Sequence, residues 1–313
     1  MSAASATVAS RPRERRRSGF SERRLAAAMV SPSLIVIAIV AAYPIGYAIW
    51  LSLNQYSVIH PGLSRWVGLD NYRDALTSSE FWSATRITFM FTVISVALEL
   101  VIGTAMALLM HAAFRGRAVL RAVVLVPWAV LTVGTAMMWR TIFDADLGFA
   151  NQLLQTLHLP GQHTVWLGQN GYAMAVLIIA DVWKTAPFMA LLILAGLQVI
   201  PEDVYEAAKV DGATAWQRFV SITLPLLKPA ILVALIFRTL DALRIFDLPF
   251  VLTQGSNGTT TLSLYAYQQL TQNRLIGPGS SLAVLTFIIV MAVSFIYIRT
   301  VGGNIRNLAQ EDS

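Results

Sequence analysis

Six long apolar runs divide the chain, near residues 27–52, 86–113, 119–143, 171–197, 227–251 and 281–301. A helix crosses about 30 Å of hydrocarbon in roughly 20 residues, so each run is long enough to span a membrane. The pattern predicts an all-α polytopic membrane protein with six transmembrane helices. Composition agrees, because 56% of the 313 residues are hydrophobic and only 13% are charged, far from the balance of a soluble domain.

Charge supplies the orientation. Arg11, Arg13, Arg15, Arg16, Arg17, Arg23 and Arg24 crowd the start of the chain, and Arg115, Arg117 and Arg121 lie between spans two and three. Lys209, Arg218 and Lys228 occur in or beside the interval 198–226, whereas the loop 144–170 has no lysine or arginine and 252–280 has only Arg274. The loop 53–85 offsets Arg65 and Arg73 with Asp70, Asp74 and Glu80. The positive-inside rule then places both termini and the interval 201–225 in the cytoplasm. The expected organisation is a basic tail over 1–24, a six-span domain over 25–303 and a cytoplasmic tail over 304–313. Membrane orientation accounts for the net charge of +6, so no nucleic-acid partner is expected, and the tail is placed beside anionic lipid. With no cysteine there is no disulfide, thiolate metal site or thiol nucleophile. His158 and His163 flank a Pro-Gly turn without a third ligand nearby, so no metal is expected.

One polar interval reads as two ordered helices. Pro201 suits a first helical position, with Glu202 and Asp203 complementing the positive helix end. The first helix should run to about Asp211, Gly212 can take the left-handed turn, and Thr214 with Gln217 forms a capping box for the second. Pro225 is expected to stop that second helix. Val204, Ala207, Ala208 and Asp211 share a face at helical spacing, and its two alanines let another surface approach closely. This is the form of a helix-turn-helix docking element.

The interval also matches a known pattern. Glu206-Ala207-Ala208, three residues, Gly212, nine residues, Ile222, one residue, then Leu224-Pro225 resembles the EAA loop of bacterial ABC importer permeases. The Gly68-Leu69-Asp70-Asn71-Tyr72 stretch resembles one common in carbohydrate-importer permeases, and 252–259 (LTQGSNGT) looks like their Leu-Thr-x-Gly-Gly-Pro region apart from Gln254, Gly255 and Ser256. Segments 22–25 (ERRL), 43–46 (YPIG), 182–185 (VWKT) and 237–241 (FRTLD) look most like the trehalose-importing members. The resemblance implies a MetI-like permease moving a di- or oligosaccharide, with trehalose the expected sugar. It implies a second homologous permease, two copies of a cytoplasmic ATPase and an extracytoplasmic sugar-binding lipoprotein as partners. It also implies that Glu206, Ala207, Ala208, Asp211, Gly212, Leu224 and Pro225 couple the permease to the ATPase. ATP and Mg would be used by that partner, because the chain has no P-loop and binds no cofactor of its own.

Ionisable residues within spans face a bundle interior or a watery cavity. Glu99 lies mid-way along span two, and Asp181 and Lys184 inside span four. Arg238, Asp241, Arg244 and Asp247 recur every third residue with alternating sign, which on one helix makes a slowly winding stripe. Alternating signs exclude a voltage sensor. Two arrangements remain: an ion-pair ladder that locks spans together, or, with Asp181, Trp183 and Lys184, the lining of a sugar passage in which hydroxyls meet polar groups and an aromatic face. The competing functional class is an ion-coupled secondary carrier that uses the stripe as a relay. A membrane-embedded transferase is more remote, since Glu99 and Asp181 lack metal spacing.

Overall fold

The computed structural model describes residues 22–56, 64–112, 116–161 and 163–311, so most of the basic tail lies outside the described residues. The chain divides into two units, one ending at Tyr47 and the other beginning at Ala48. The first unit holds helix α1 (Glu22–Ile37), a five-residue π-helical stretch (Ala38–Ala42) and the start of α2 (Tyr43–Ser52). Pro32 has no N–H for the carbonyl of Ala28, and the Ser31 hydroxyl bonds that carbonyl instead at 3.2 Å. The wider π turn comes just before Pro44, where a proline ring would otherwise clash with the carbonyl four residues back.

In the second unit, β1 (Asn54–Gln55) pairs antiparallel with β2 (Arg65–Trp66), and Gly68 at φ +58° turns the chain into α3 (Asp70–Thr77). Asn71 is buried there and donates to the carbonyls of Ser52 (2.8 Å) and Asn54 (3.0 Å). Asn71 thus pins the loop to the end of α2. The remaining helices are α4 (Ser79–His111), α5 (Arg117–Ala129), α6 (Thr132–Ile142), α7 (Phe149–Thr156), α8 (Tyr172–Leu197), α9 (Glu202–Val210), α10 (Ala215–Arg218), α11 (Leu224–Ala242), α12 (Asp247–Thr253), α13 (Leu262–Tyr267) and α14 (Ile276–Glu311).

The centre of this unit is α8. Its Leu177, Met189, Ile193 and Leu197 are fully buried, packing with Phe91 and Met110 of α4 and with Leu227 and Ala234 of α11. Lipid tails are as apolar as leucine, so close packing holds such helices together, and small residues permit it. Gly103 of α4 shows the tolerance: a Cβ there would meet Met189 Cγ at 2.8 Å. A larger residue at this position forces the two central helices apart.

Among the described residues, five helices are long and apolar enough to cross a membrane: Leu25–Ser52, Ser79–His111, Tyr172–Leu197, Ala215–Ala242 and Ile276–Arg299. The expected third span is not one rod. Its halves, Ala118–Ala129 and Thr132–Ile142, bend by 90° at a short break, and counting the pair as one span gives six. The expected fifth span is displaced toward its N-terminus. It runs over Ala215–Ala242 and ends nine residues before the expected limit at 251.

Pro249 explains where that helix fails. In a continuous helix the Pro249 ring would clash with the carbonyl of Ile245 and leave it without a donor. The chain unwinds over 243–246 instead, and the Thr261 hydroxyl bonds the Ile245 carbonyl at 2.9 Å. One further expectation is corrected: residues 262–272 are helical rather than loop, ending in a π-helical stretch (Gln268–Gln272). Helix α14 runs to Glu311.

Candidate functional site

The interval 201–225 is built from local signals. Pro201 is the N-cap, one residue before the position expected for it, and α9 ends at Val210 with Asp211 as C-cap. Gly212 takes φ +79°. Its N–H bonds the Lys209 carbonyl (3.1 Å) and the Ala213 N–H bonds the Ala208 carbonyl (2.9 Å), which together make a Schellman cap. The Thr214 hydroxyl then accepts from the Gln217 N–H at 3.3 Å while Gln217 Oε1 accepts from the Thr214 N–H at 2.8 Å, so the capping box is formed.

Pro225 does not end the second helix. A five-residue π-helical stretch (Phe219–Thr223) joins α10 to α11, with the Leu224 N–H reaching back to the Phe219 carbonyl. Pro225 sits in the first turn of α11, where its missing N–H is tolerated once the turn has widened. The helix-turn-helix is therefore α9 followed by the first turns of a 28-residue helix, Ala215–Ala242. The Tyr205 and Thr223 hydroxyls join the two at 3.1 Å. Glu206, Ala207, Asp211, Gly212, Leu224 and Pro225 are exposed and Ala208 is half-buried. Val210 (88%) and Trp216 (70%) are exposed apolar side chains at this turn. A groove of about 1050 Å³ opens between α9 and α10, with Glu202, Tyr205, Glu206, Lys209 and Trp216 in its walls.

The charged residues of the spans meet in one place, though not as a stripe on one helix. Arg238 and Asp241 are on α11, Arg244 is in the unwound turn, and Asp247 opens α12. Arg238 is 2% exposed and organises the cluster. It donates to both oxygens of Glu99 (2.5 and 2.7 Å), to Asp181 (2.7 Å) and to Asp241 (2.7 Å). The Thr185 hydroxyl also reaches Glu99, at 2.8 Å. Glu99, a lone acid mid-way along span two in the sequence, is the fully buried partner that fixes the guanidinium. Its only signal was a lone carboxylate in an apolar run. Buried charges persist only when paired and hydrogen-bonded, and here one planar fork serves three carboxylates.

A cavity of about 140 Å³ adjoins this cluster, lined by Thr132, Asp181, Lys184, Asp241, Arg244 and Asp247 among others. Both broken spans open onto it, for Thr132 is the first residue of α6 and Asp247 the first of α12. Lys184 donates to the carbonyl of Val130 at 2.7 Å, at the break between α5 and α6, and so supplies a donor that the interrupted helix lacks. Trp183 is not in this lining. It faces α6, where its ring edge meets Trp139 at 5.9 Å, because adjacent residues of a helix point about 100° apart.

Residues 99–305 match the family described as binding-protein-dependent transport system inner membrane component. The chain belongs to this family. It is 42% identical over 285 residues to the trehalose transport system permease protein SugA of Mycobacterium tuberculosis, covering 91% of each chain. It is 43% identical over 282 residues to the trehalose/maltose transport system permease protein MalF of Thermococcus litoralis, covering 90% of this chain and 94% of that one. Among solved structures, a bacterial alginate ABC transporter in complex with an alginate pentasaccharide-bound periplasmic protein matches with TM-score 0.77 at 23% identity, covering 88% of this chain and 93% of that one. The MetNI methionine ABC transporter matches with TM-score 0.54 at 18% identity over 72% of this chain. These two establish the permease fold.

The chain is thus a multi-pass translocation subunit of an ABC importer and not an enzyme. Permeases of this kind act with a partner permease, an ATPase and a periplasmic binding protein. Membership removes the ion-coupled carrier and the transferase from consideration.

Proposed function

We propose that this permease carries a di- or oligosaccharide, trehalose foremost, across the plasma membrane by alternating access. Both termini are cytoplasmic in this reading. The assembly pairs the chain with a second homologous permease, two copies of the ATPase and an extracytoplasmic sugar-binding lipoprotein. Two relatives of the chain are named for trehalose transport, at 42% and 43% identity over nearly the whole length.

One observation carries the mechanism. The helix Ala215–Ala242 has the capped turn after Gly212 at one end and Arg238 with Asp241 at the other, roughly 40 Å away at 1.5 Å per residue. A displacement of the coupling turn therefore reaches the cavity through a single continuous helix. Ala207 and Ala208 allow α9 to seat closely in a cleft of the ATPase, Glu206 and Asp211 pair with basic groups there, and Leu224 and Pro225 fix the start of the transmitting helix. ATP-driven closure of the ATPase dimer carries α9 with it. The Tyr205–Thr223 contact transfers the movement to the long helix.

The cavity of about 140 Å³ is smaller than the roughly 300–1,000 Å³ of sites that enclose small ligands. The described conformation is accordingly closed to a disaccharide, and opening requires the ends of α6 and α12 to separate. Lys184, Asp181, Asp241, Arg244 and Asp247 then present donors and acceptors to sugar hydroxyls, while Arg238 holds the acids in place. A pull-down of the tagged chain from native membranes tests the assembly. Recovery of a second permease and a P-loop ATPase, with hydrolysis stimulated by trehalose when the binding protein is present, is the expected result. Recovery of the chain alone, with ATP-independent solute movement, overturns it.

A further inference from the structure

A second cavity lies at the far ends of the same two half-helices. Residues that follow or close α6 (Arg140, Phe143, Asp144) and residues that follow α12 (Gln254, Ser256, Asn257) line a cup of about 390 Å³. The volume falls within the roughly 300–1,000 Å³ of small-molecule sites, whereas the cavity at the opposite helix ends does not.

The chemistry of the cup is that of a hydroxyl-rich neutral solute. Arg140 is exposed and makes no side-chain hydrogen bond to a described residue. Asp144 Oδ1 accepts from the N–H groups of Leu147 (3.0 Å) and Asp146 (3.1 Å), which leaves Oδ2 as a further acceptor. Those two N–H groups, with a smaller contribution from Arg140, hold the carboxyl below its ordinary value, so it stays ionised near neutral pH. The Gln254 amide adds a donor and an acceptor, and the Ser256 hydroxyl serves as either. One cation balances one anion, which disfavours a charged ligand. Phe143 closes one wall and belongs to a continuous run of rings: Trp183 to Trp139 (5.9 Å), Trp139 to Phe143 (5.8 Å), Phe143 to Trp166 (5.4 Å) and Trp166 to Tyr172 (5.5 Å). Of these rings Phe143 is the one in the lining, where it offers an apolar wall to the CH side of a sugar ring.

The frame is fixed in advance. Gln254 and Asn257 both hold positive φ, +54° and +55°, a conformation that non-glycine residues adopt at some cost and keep only where surroundings impose it. Asn257 Nδ2 donates to the Leu167 carbonyl (2.8 Å), Gln268 Nε2 to the Gln254 carbonyl (3.1 Å) and the Thr260 hydroxyl to the Gly255 carbonyl (2.5 Å). Binding to a preset loop avoids the entropy of ordering it.

We infer that this cup is a receiving site for a neutral disaccharide, filled before the sugar passes along α6 and α12 to the cavity at their other ends. The inference rests on the sugar-importer reading. Because the chain has no cysteine, Ser256→Cys places a unique thiol in the cup, and its rate of labelling by a membrane-impermeant maleimide reports occupancy in the complete assembly. Trehalose at ten times its dissociation constant should slow labelling about tenfold. Arg140→Ala or Asp144→Asn in that background should abolish the protection, while an amino acid at equal osmolarity gives none.

Full-rate labelling in saturating trehalose, in an assembly that imports trehalose under ATP, overturns the cup and leaves the importer reading intact. Protection by sugar-free binding protein but not by trehalose also overturns it, making the cup a protein contact. An assembly that neither imports trehalose nor responds to it removes the importer reading and the cup together.

Discussion

Replacing Arg238 by leucine is the most informative change to the buried cluster. The guanidinium makes four charge-assisted hydrogen bonds, two to Glu99 and one each to Asp181 and Asp241. They are not equal. The Asp241 side chain is 69% exposed, so its pair is screened and contributes at most about 1 kcal/mol. Glu99 is fully buried and Asp181 nearly so, and without Arg238 both face the interior with only the Thr185 hydroxyl left on Glu99. Removing one partner of a buried ion pair costs about 3–5 kcal/mol, chiefly from the charge left behind. That shifts the folding equilibrium roughly a hundred- to several-thousand-fold. Arg238→Leu should therefore show this loss when unfolding is measured by steric trapping of the purified chain in bicelles. Adding Glu99→Leu should recover at least half of it, because the uncompensated carboxylate is then gone. A single mutant within about 1 kcal/mol of the parent, or a double mutant less stable than the single, would refute the assignment of Arg238 as the organising charge.

Gly212→Ala meets no neighbouring atom but forces an L-residue to φ +79°, so it should cost about 1–2 kcal/mol locally, read by hydrogen exchange at the α9 C-terminus. Gly212→Pro or Ala207→Arg should leave membrane insertion normal and abolish sugar-stimulated ATPase activity in the assembly. Trp216→Ala, at an exposed position, should change the stability of the isolated chain by less than about 0.5 kcal/mol yet weaken copurification of the ATPase. Lys184→Met should leave the Val130 carbonyl without its donor, costing about 1–3 kcal/mol and reducing uptake without preventing assembly with the ATPase.

The legible parts of the sequence were those fixed by near neighbours. Gly212 announces a left-handed residue and Thr214 and Gln217 a capping box, because each signal acts within about five residues. Apolar runs gave the spans for the same reason. The breaks were harder. Pro249 was a visible sign that the helix could not continue, but it sat inside an apolar run whose length argued for one span. The other break, at Val130, lies three residues past Pro127 and is held by Lys184, 54 positions away. The cluster was legible only as a set of charges. Which acid meets Arg238 is decided by the packing of α4 and α8 against α11, and Glu99 is 139 positions from its partner. The three-residue period that suggested a stripe failed because the helix ends at Ala242, yet the unwound turn still brings Arg244 and Asp247 to the same cavity.

The central claim is that movement of the α9–α10 turn, driven by a separate ATPase, opens the cavity beside Arg238 to a sugar. Uptake of radiolabelled trehalose into proteoliposomes holding the full assembly and loaded binding protein tests it most directly. ATP in the ATPase compartment should drive accumulation above the external concentration, a nonhydrolysable analogue should not, and Gly212→Pro should eliminate uptake with every subunit still present. Accumulation driven by a membrane potential without ATP, or undiminished by Gly212→Pro, would contradict the account.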